Sequence, residues 1–198
     1  MAAAHRQLRE HLRRFYDFTG KVVLFVGAGG GQLIDPGFGT KKLIAIDRDV
    51  EALRDLETKL DAGGMPGAVD VVRADFEEVS LLGDVVYFEF CLHEMADPGK
   101  ALIHAGTLAR DVVVFDHAPG SDWSFHAAEE EGVRRASEAM EAFGVQRRER
   151  LRFEQRFKDH AELLAKLAAQ GPLATERARR FAGATDIVIP MSCELALL

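Results

Sequence analysis

A continuously apolar, β-branched run, KVVLFV at residues 21–26, is followed at once by four glycines in five positions, GAGGG at 27–31. A run without polar alternation suits a strand buried on both faces, which belongs in a parallel sheet covered by helices on either side. Glycine loses more backbone freedom on folding than any other residue. Clustered at the carboxyl end of such a strand, it marks a tight turn whose main chain leaves room for something to lie against it.

The same kind of segment recurs along the chain. KLIAID at 42–47, AVDVVRAD at 68–75, DVVYFEFCL at 84–92 and DVVVFDH at 111–117 all read as strands. Helical patterns separate them. Asp49 is placed to cap a helix over 50–60 whose Val50, Leu53, Leu56 and Leu60 share a side, with Gly63 and Gly64 past its end. Asp97 followed by Pro98 at the first helical position opens a helix to about Ala109. Residues 124–143 read as one helix with Phe125, Val133, Ala136, Met140 and Phe143 inward. Before the first strand, Leu8, Leu12 and Phe15 define an amphipathic helix ending before Thr19 and Gly20. This alternation predicts an α/β domain, an open and mostly parallel sheet with helices on both faces.

The carboxyl-terminal part changes character. In RERLRFEQRF, Leu151, Phe153 and Phe157 alternate with charged residues, the mark of a strand with one solvated face. Asp159 and Glu162 form an aspartate version of a capping box, opening a helix to Gln170 that Gly171 and Pro172 stop. IVIPMSCELALL is the last strand, and Pro190 within it requires an edge or a bulge.

The 198 residues suffice for a single domain with a substantial core. A net charge of −7 argues against general nucleic-acid binding. No apolar run approaches the ~18 residues of a membrane span, and MAAAHRQLREHLRRF lacks the apolar centre of a secretory signal. Cys91 and Cys193 lie in apolar segments without ligand-like spacing, as buried free thiols do in a reducing compartment. A cytoplasmic protein is expected, with no membrane or nucleic-acid partner and an oligomeric state the sequence leaves open.

Ligands of open α/β sheets bind beyond the carboxyl ends of the strands. The second strand ends at Asp47, eighteen residues after Gly29, where a carboxylate can accept hydrogen bonds from both ribose hydroxyls. Glycine turn and acid together read as a nucleoside site. The dinucleotide pattern G-x-G-x-x-G would need a small residue where Gln32 stands, and Pro36, Gly37 and Gly39 weaken the helix a pyrophosphate requires. The spacing present is G-x-G-x-G, at Gly27, Gly29 and Gly31.

Four segments in order, LFVGAGGGQL, LIAIDRD, VVRADFEEV and GDVVYFEFCLHEMADPGKAL, resemble the four motifs of class I S-adenosylmethionine-dependent methyltransferases, and the resemblance runs from Val22 to Leu198. It implies a Rossmann-like seven-stranded sheet of order 3-2-1-4-5-7-6 with a carboxyl-terminal antiparallel hairpin. It implies S-adenosylmethionine as cofactor and a small molecule as methyl acceptor. It also implies roles for individual residues. Gly27, Gly29 and Gly31 would lie against the methionine and ribose parts, and Asp47 would hold the ribose hydroxyls. Arg48 would lie beside the adenine. Asp75 would accept from the adenine amino group, and Phe76 would donate its backbone N–H to the ring. For Asp75 the plain alternative is a helix cap, and for Phe76 core packing.

The chain departs from the family at one place. Phe25 stands two residues before the first glycine, where the family carries an acid for the cofactor's ammonium group. Glu89, near the end of the fourth strand and costly to bury without a cationic partner, is the expected substitute. Pairing with a cation of the protein itself is the other reading. His93, just past the fourth strand, is the candidate base or substrate contact. Asp116, His117, Trp123 and His126 follow the fifth strand and could line a pocket, shaped by residues 118–145. Glu89, His93, Glu94, Asp116 and His117 show no metal-ligand spacing, so no metal is expected. Phe15 and Tyr16 either close over the cofactor as part of an amino-terminal lid or bury an apolar stripe. Two other functions stay open: a non-catalytic cofactor-binding or scaffolding relative and, against Gln32, a nicotinamide-dependent oxidoreductase.

Overall fold

The computed structural model describes residues 2–29, 38–62 and 69–198, with the side chains of 2–7 left aside. Gly31, Gln32, Pro36, Gly37, Gly63, Gly64 and Ala68 lie outside the described residues. The doubly apolar runs become the parallel strands β1 (Val22–Val26), β2 (Lys42–Asp47), β3 (Asp70–Arg73), β4 (Val85–Glu89) and β5 (Asp111–His117). The carboxyl-terminal strands β6 (Arg147–Asp159) and β7 (Thr185–Leu197) pair antiparallel with each other, and β7 pairs antiparallel with β5. The described residues thus form a seven-stranded sheet of order β3-β2-β1-β4-β5-β7-β6.

Strand side chains alternate between two hydrophobic layers. Phe25, Tyr87 and Phe115 face one, covered by α1 (Ala2–Phe15) and α2 (Val50–Ala62). Leu24, Phe88 and Val114 face the other, covered by α3 (Pro98–Leu108) and α5 (Glu130–Phe143). Phe25, Phe88 and Phe115 are wholly enclosed, and burying each such ring stabilises the fold by roughly 1.5–3 kcal/mol.

The capping signals work as their chemistry requires. Asp49 Oδ1 accepts from Glu51 N and Ala52 N, and Asp97 Oδ1 from Lys100 N, with Pro98 at the helix start. Asp159 Oδ1 accepts from Glu162 N to open α6 (His160–Ala168), while the returning arm of the box, Glu162 Oε2, takes Lys158 N rather than the cap's own N–H. Pro190 sits where β7 pairs with β6 alone, because pairing with β5 runs only over 193–197. That stretch of β7 is the edge the proline demanded.

Two readings need correction, the single helix over 124–143 and the inward placing of Phe125 and Phe143. The single helix over 124–143 is two: α4 (Asp122–Ala127) ends at Ala128 in a left-handed conformation, φ +61°, and α5 begins at Glu130. The break turns Phe125 outward, to 45% exposure, and Phe143 to 37%, so neither belongs to the core. Gly171 and Pro172 do follow the end of α6 at Ala168, and the proline then opens a separate helix, α7 (Pro172–Ala178). Phe15 and Tyr16 are buried, and Tyr16 Oη donates to Asp111 Oδ2 at 2.5 Å. Asp111 begins β5, so this bond ties the end of α1 to the edge of the sheet opposite the glycine turn. No helix among the described residues is long and apolar enough to cross a membrane.

Candidate functional site

The turn after β1 is built by two glycines with different tasks. Gly27, at φ +68°, donates to Ile46 O, and a Cβ placed on it would lie 2.4 Å from Cys91 Cβ. Its bareness makes room for the chain leaving β4. Gly29, at φ +45°, would place a Cβ in ordinary contact with Gly27 O at 3.7 Å, uncrowded among the described residues.

Asp47 closes the crevice between β1 and β2. Its Oδ2 accepts from Gly29 N at 2.8 Å and its Oδ1 from Asp49 N at 2.9 Å. Each oxygen keeps a second lone pair. Arg48 beside it is exposed. At the end of β3, Asp75 is exposed and caps a short 3₁₀ turn, accepting from Glu77 N at 3.2 Å. Phe76 is buried edge-on against Phe88 and His104. For these two the side chains do what the plain alternatives required, a cap and core packing.

Phe25 stacks on Tyr87 with ring centroids 5.2 Å apart, filling the space an acid would have used. One step further along the same face, the buried Glu89 accepts a 3.0 Å hydrogen bond from Tyr87 Oη.

Past β4 the chain is forced round sharply. Phe90 adopts φ +47°, unusual for a bulky residue, while its N–H donates to Phe115 O and its ring packs on Phe115 and His117. Cys91 Sγ reaches Val26 O, and a 3₁₀ turn over Leu92–Glu94 then presents His93. Asp116, at the end of β5 and 1% exposed, grips this turn. It accepts from His93 N at 3.0 Å, from the His93 ring through Nδ1 at 2.5 Å, and from His117 N at 2.7 Å.

The electrostatics of this cluster follow from its burial. Burial opposes charge on His93, but Asp116 in contact, with Glu129 and Glu94 nearby, raises its pKa to about 9. Asp116 thus favours the charged imidazole more than burial disfavours it. Burial lowers the His117 pKa to about 4, against a smaller opposite pull from Asp116. Burial raises that of Glu129 to about 7, with His93 pulling the other way. Glu129 Oε2 stands 3.8 Å from His93 Nε2 and 3.7 Å from His117 Nε2.

Sequence spacing could not have found Glu129. It lies between α4 and α5, and only the break at Ala128 turns it toward the two imidazoles. Trp123 and His126 do not join the cluster: Trp123 stacks on Phe157, and His126 lies against Phe125 and Phe181. Gly132, one turn into α5, lets the helix approach, because a Cβ there would meet His93 O at 2.3 Å. Gly132→Ala should therefore destabilise the protein by about 1–3 kcal/mol through overpacking, although alanine in a helix interior ordinarily gains about 1 kcal/mol over glycine. A denaturant titration reads the sign directly.

No protein-family model matches the chain, and no curated protein matches it in sequence. Solved structures do match. A candidate methyltransferase from Bacillus halodurans aligns over 96% of both chains at 17% identity, with a TM-score of 0.68. An S-adenosylmethionine-dependent methyltransferase from Aquifex aeolicus aligns over 95% of this chain and 87% of its own, at 17% identity and TM-score 0.58. The [4+2]-cyclase SpnF aligns over 98% and 82%, at 15% identity and TM-score 0.62. At these identities the likeness is one of fold, and the fold is that of class I methyltransferases.

Proposed function

We propose that this protein binds S-adenosylmethionine across the carboxyl ends of β1, β2 and β4 and transfers its methyl group to a small-molecule acceptor. The observation that carries this reading is the Gly29–Asp47 pair. A glycine at positive φ, uncrowded at its Cβ position among the described residues, is hydrogen-bonded to a carboxylate with the capacity to accept from two ribose hydroxyls as well. The cofactor's sulfonium supplies an activated methyl group, so the protein has mainly to align the acceptor and exclude water. Asp47 would hold the ribose and Arg48 lie beside the adenine. Gly27 and Gly31 would shape the turn, Asp75 accept from the adenine amino group, and the Phe76 N–H meet the ring. Glu89 would exchange its tyrosine hydroxyl, or share it, for the ligand's ammonium. His93, with Nδ1 on Asp116 and Nε2 turned toward Glu129, would contact the acceptor only where that cluster borders it.

Calorimetry with S-adenosylmethionine and its demethylated product tests the binding. If neither associates with folded protein, the reading fails. Glu89→Gln should weaken S-adenosylmethionine at least about tenfold, since a charge-assisted bond contributes roughly 1.5–3 kcal/mol. The same variant should leave methylthioadenosine, which lacks the ammonium, unaffected. Equal losses for both ligands would remove Glu89 from the ammonium site.

A second reading has its own support. Phe25 replaces an acid, His93 is held protonated, and the fold is shared with a cyclase. These favour a protein that binds the cofactor without transferring its methyl group. A labelled-methyl assay on cell extract separates the two: binding without any transferred label favours the second.

A further inference from the structure

Two imidazoles and a carboxylate meet beyond the ends of β4 and β5, contributed by the 3₁₀ turn at His93, by the end of β5 at His117, and by Glu129 before α5. One ligating atom from each lies within 4.8 Å of the other two. We infer that His93, His117 and Glu129 form a three-ligand site for a divalent first-row transition-metal ion. This inference rests on the geometry of these residues and is independent of cofactor binding at Gly29 and Asp47.

Three observations carry it. First, the atoms that face one another are the ones left over. His93 Nε2 and Glu129 Oε2 are buried and have no hydrogen-bond partner among the described residues, although His93 is only 3% exposed. Orphaned polar atoms at such depth are costly, and a shared cation would satisfy both. Second, the far side of each ring is already engaged. His93 Nδ1 is bonded to Asp116 Oδ1, the carboxylate–histidine arrangement that orients metal-ligating imidazoles and raises their basicity. His117 Nδ1 faces Cys193 Sγ at 4.0 Å, which leaves Nε2 toward the centre. Third, two of the three separations are close to those required, and the remaining one is within 4.8 Å. Ligands at 2.0–2.2 Å in a tetrahedral arrangement are about 3.5 Å apart. Glu129 is 3.8 and 3.7 Å from its two partners, so closing on an ion takes a small movement of side chains.

The donor set selects the class of ion. Imidazole nitrogens with one carboxylate and no thiolate suit zinc, ferrous iron or cobalt better than magnesium or calcium. Three protein ligands leave at least one position for water or an acceptor oxygen. In the loaded protein the ion, and not His93 Nε2 itself, would meet the acceptor.

The test uses the full chain, dialysed against chelator and then titrated with zinc by calorimetry and with cobalt by visible absorption. One ion per chain is expected, with ligand-field bands of low-symmetry cobalt. His117→Ala and Glu129→Ala should each weaken zinc at least about a hundredfold, and Asp116→Asn by roughly 10–100-fold through the orientation of His93. Glu129 flanks a helix and makes no cap bond, so its variant should fold, as near-ultraviolet circular dichroism of the metal-free protein would report even if the His117 variant does not. Folded wild-type protein that takes up no stoichiometric zinc or cobalt overturns the inference. So does a Glu129→Ala variant that binds as the parent does.

Discussion

Gly27→Ala should cost about 2–5 kcal/mol of stability. Two contributions combine. A residue with a Cβ in the left-handed region loses about 1–2 kcal/mol, and Gly27 sits at φ +68°. The new Cβ would also lie 2.4 Å from Cys91 Cβ and 2.5 Å from its Sγ, and overpacking of this kind costs about 1–3 kcal/mol. Neither chain can retreat easily. Gly27 is hydrogen-bonded to β2 through Ile46 O, and Cys91 follows Phe90, itself held at positive φ by its bond to Phe115 O. For a chain of this size the loss corresponds to a fall of about 5–20 °C in the melting midpoint. Cys91→Gly in the same molecule should recover the collision but not the backbone strain, so a double-mutant cycle separates the two. Gly29→Ala, uncrowded among the described residues, should show the backbone cost alone, about 1–2 kcal/mol. Equal losses at the two glycines would show that crowding against Cys91 is not what requires Gly27.

Asp47→Ala should lower affinity for S-adenosylmethionine and its demethylated product by roughly a hundredfold or more. Two ribose hydroxyls donating to one carboxylate contribute about 3 kcal/mol together, and each 1.4 kcal/mol is a factor of ten. The variant also loses the bonds from Gly29 N and Asp49 N, so the glycine turn is no longer tied to β2. Both donors lie near the surface, and water can replace the carboxylate, so the accompanying loss of stability should be only about 1–3 kcal/mol. Asp47→Asn keeps an acceptor in place and should fall between the two. Calorimetry measures the affinities and a thermal melt the stability. Unchanged affinity in folded Asp47→Ala would remove the nucleoside site from this crevice.

The two results bear on how a cluster of glycines is read. All four in GAGGG suggest a surface for a ligand when seen as a string. In three dimensions the first is a packing residue facing Cys91, 64 positions later in the chain, while Gly29 is uncrowded among the described residues. Asp75 and Phe76 show the same ambiguity, since a cap and a core ring use the side chains that the motif assigns to adenine. Glu89 was legible as a buried acid needing a partner, but not that Tyr87, two residues earlier on the same face, would donate to it.

By itself the amino-acid order determined the layered α/β architecture, because unbroken apolar runs must be covered on both faces and the helices between them announce their ends through caps, glycines and prolines. It also determined that a glycine turn and an acid would stand together beyond β1 and β2, since those residues stand at strand ends whatever the packing. Only the tertiary structure decided which glycine is crowded, how the segment after β5 divides into α4 and α5, and that Glu129 meets His93 and His117. Those outcomes depend on contacts between segments distant in sequence, where the approach of one backbone to another is set by the packing of whole layers and leaves no periodic trace in the chain.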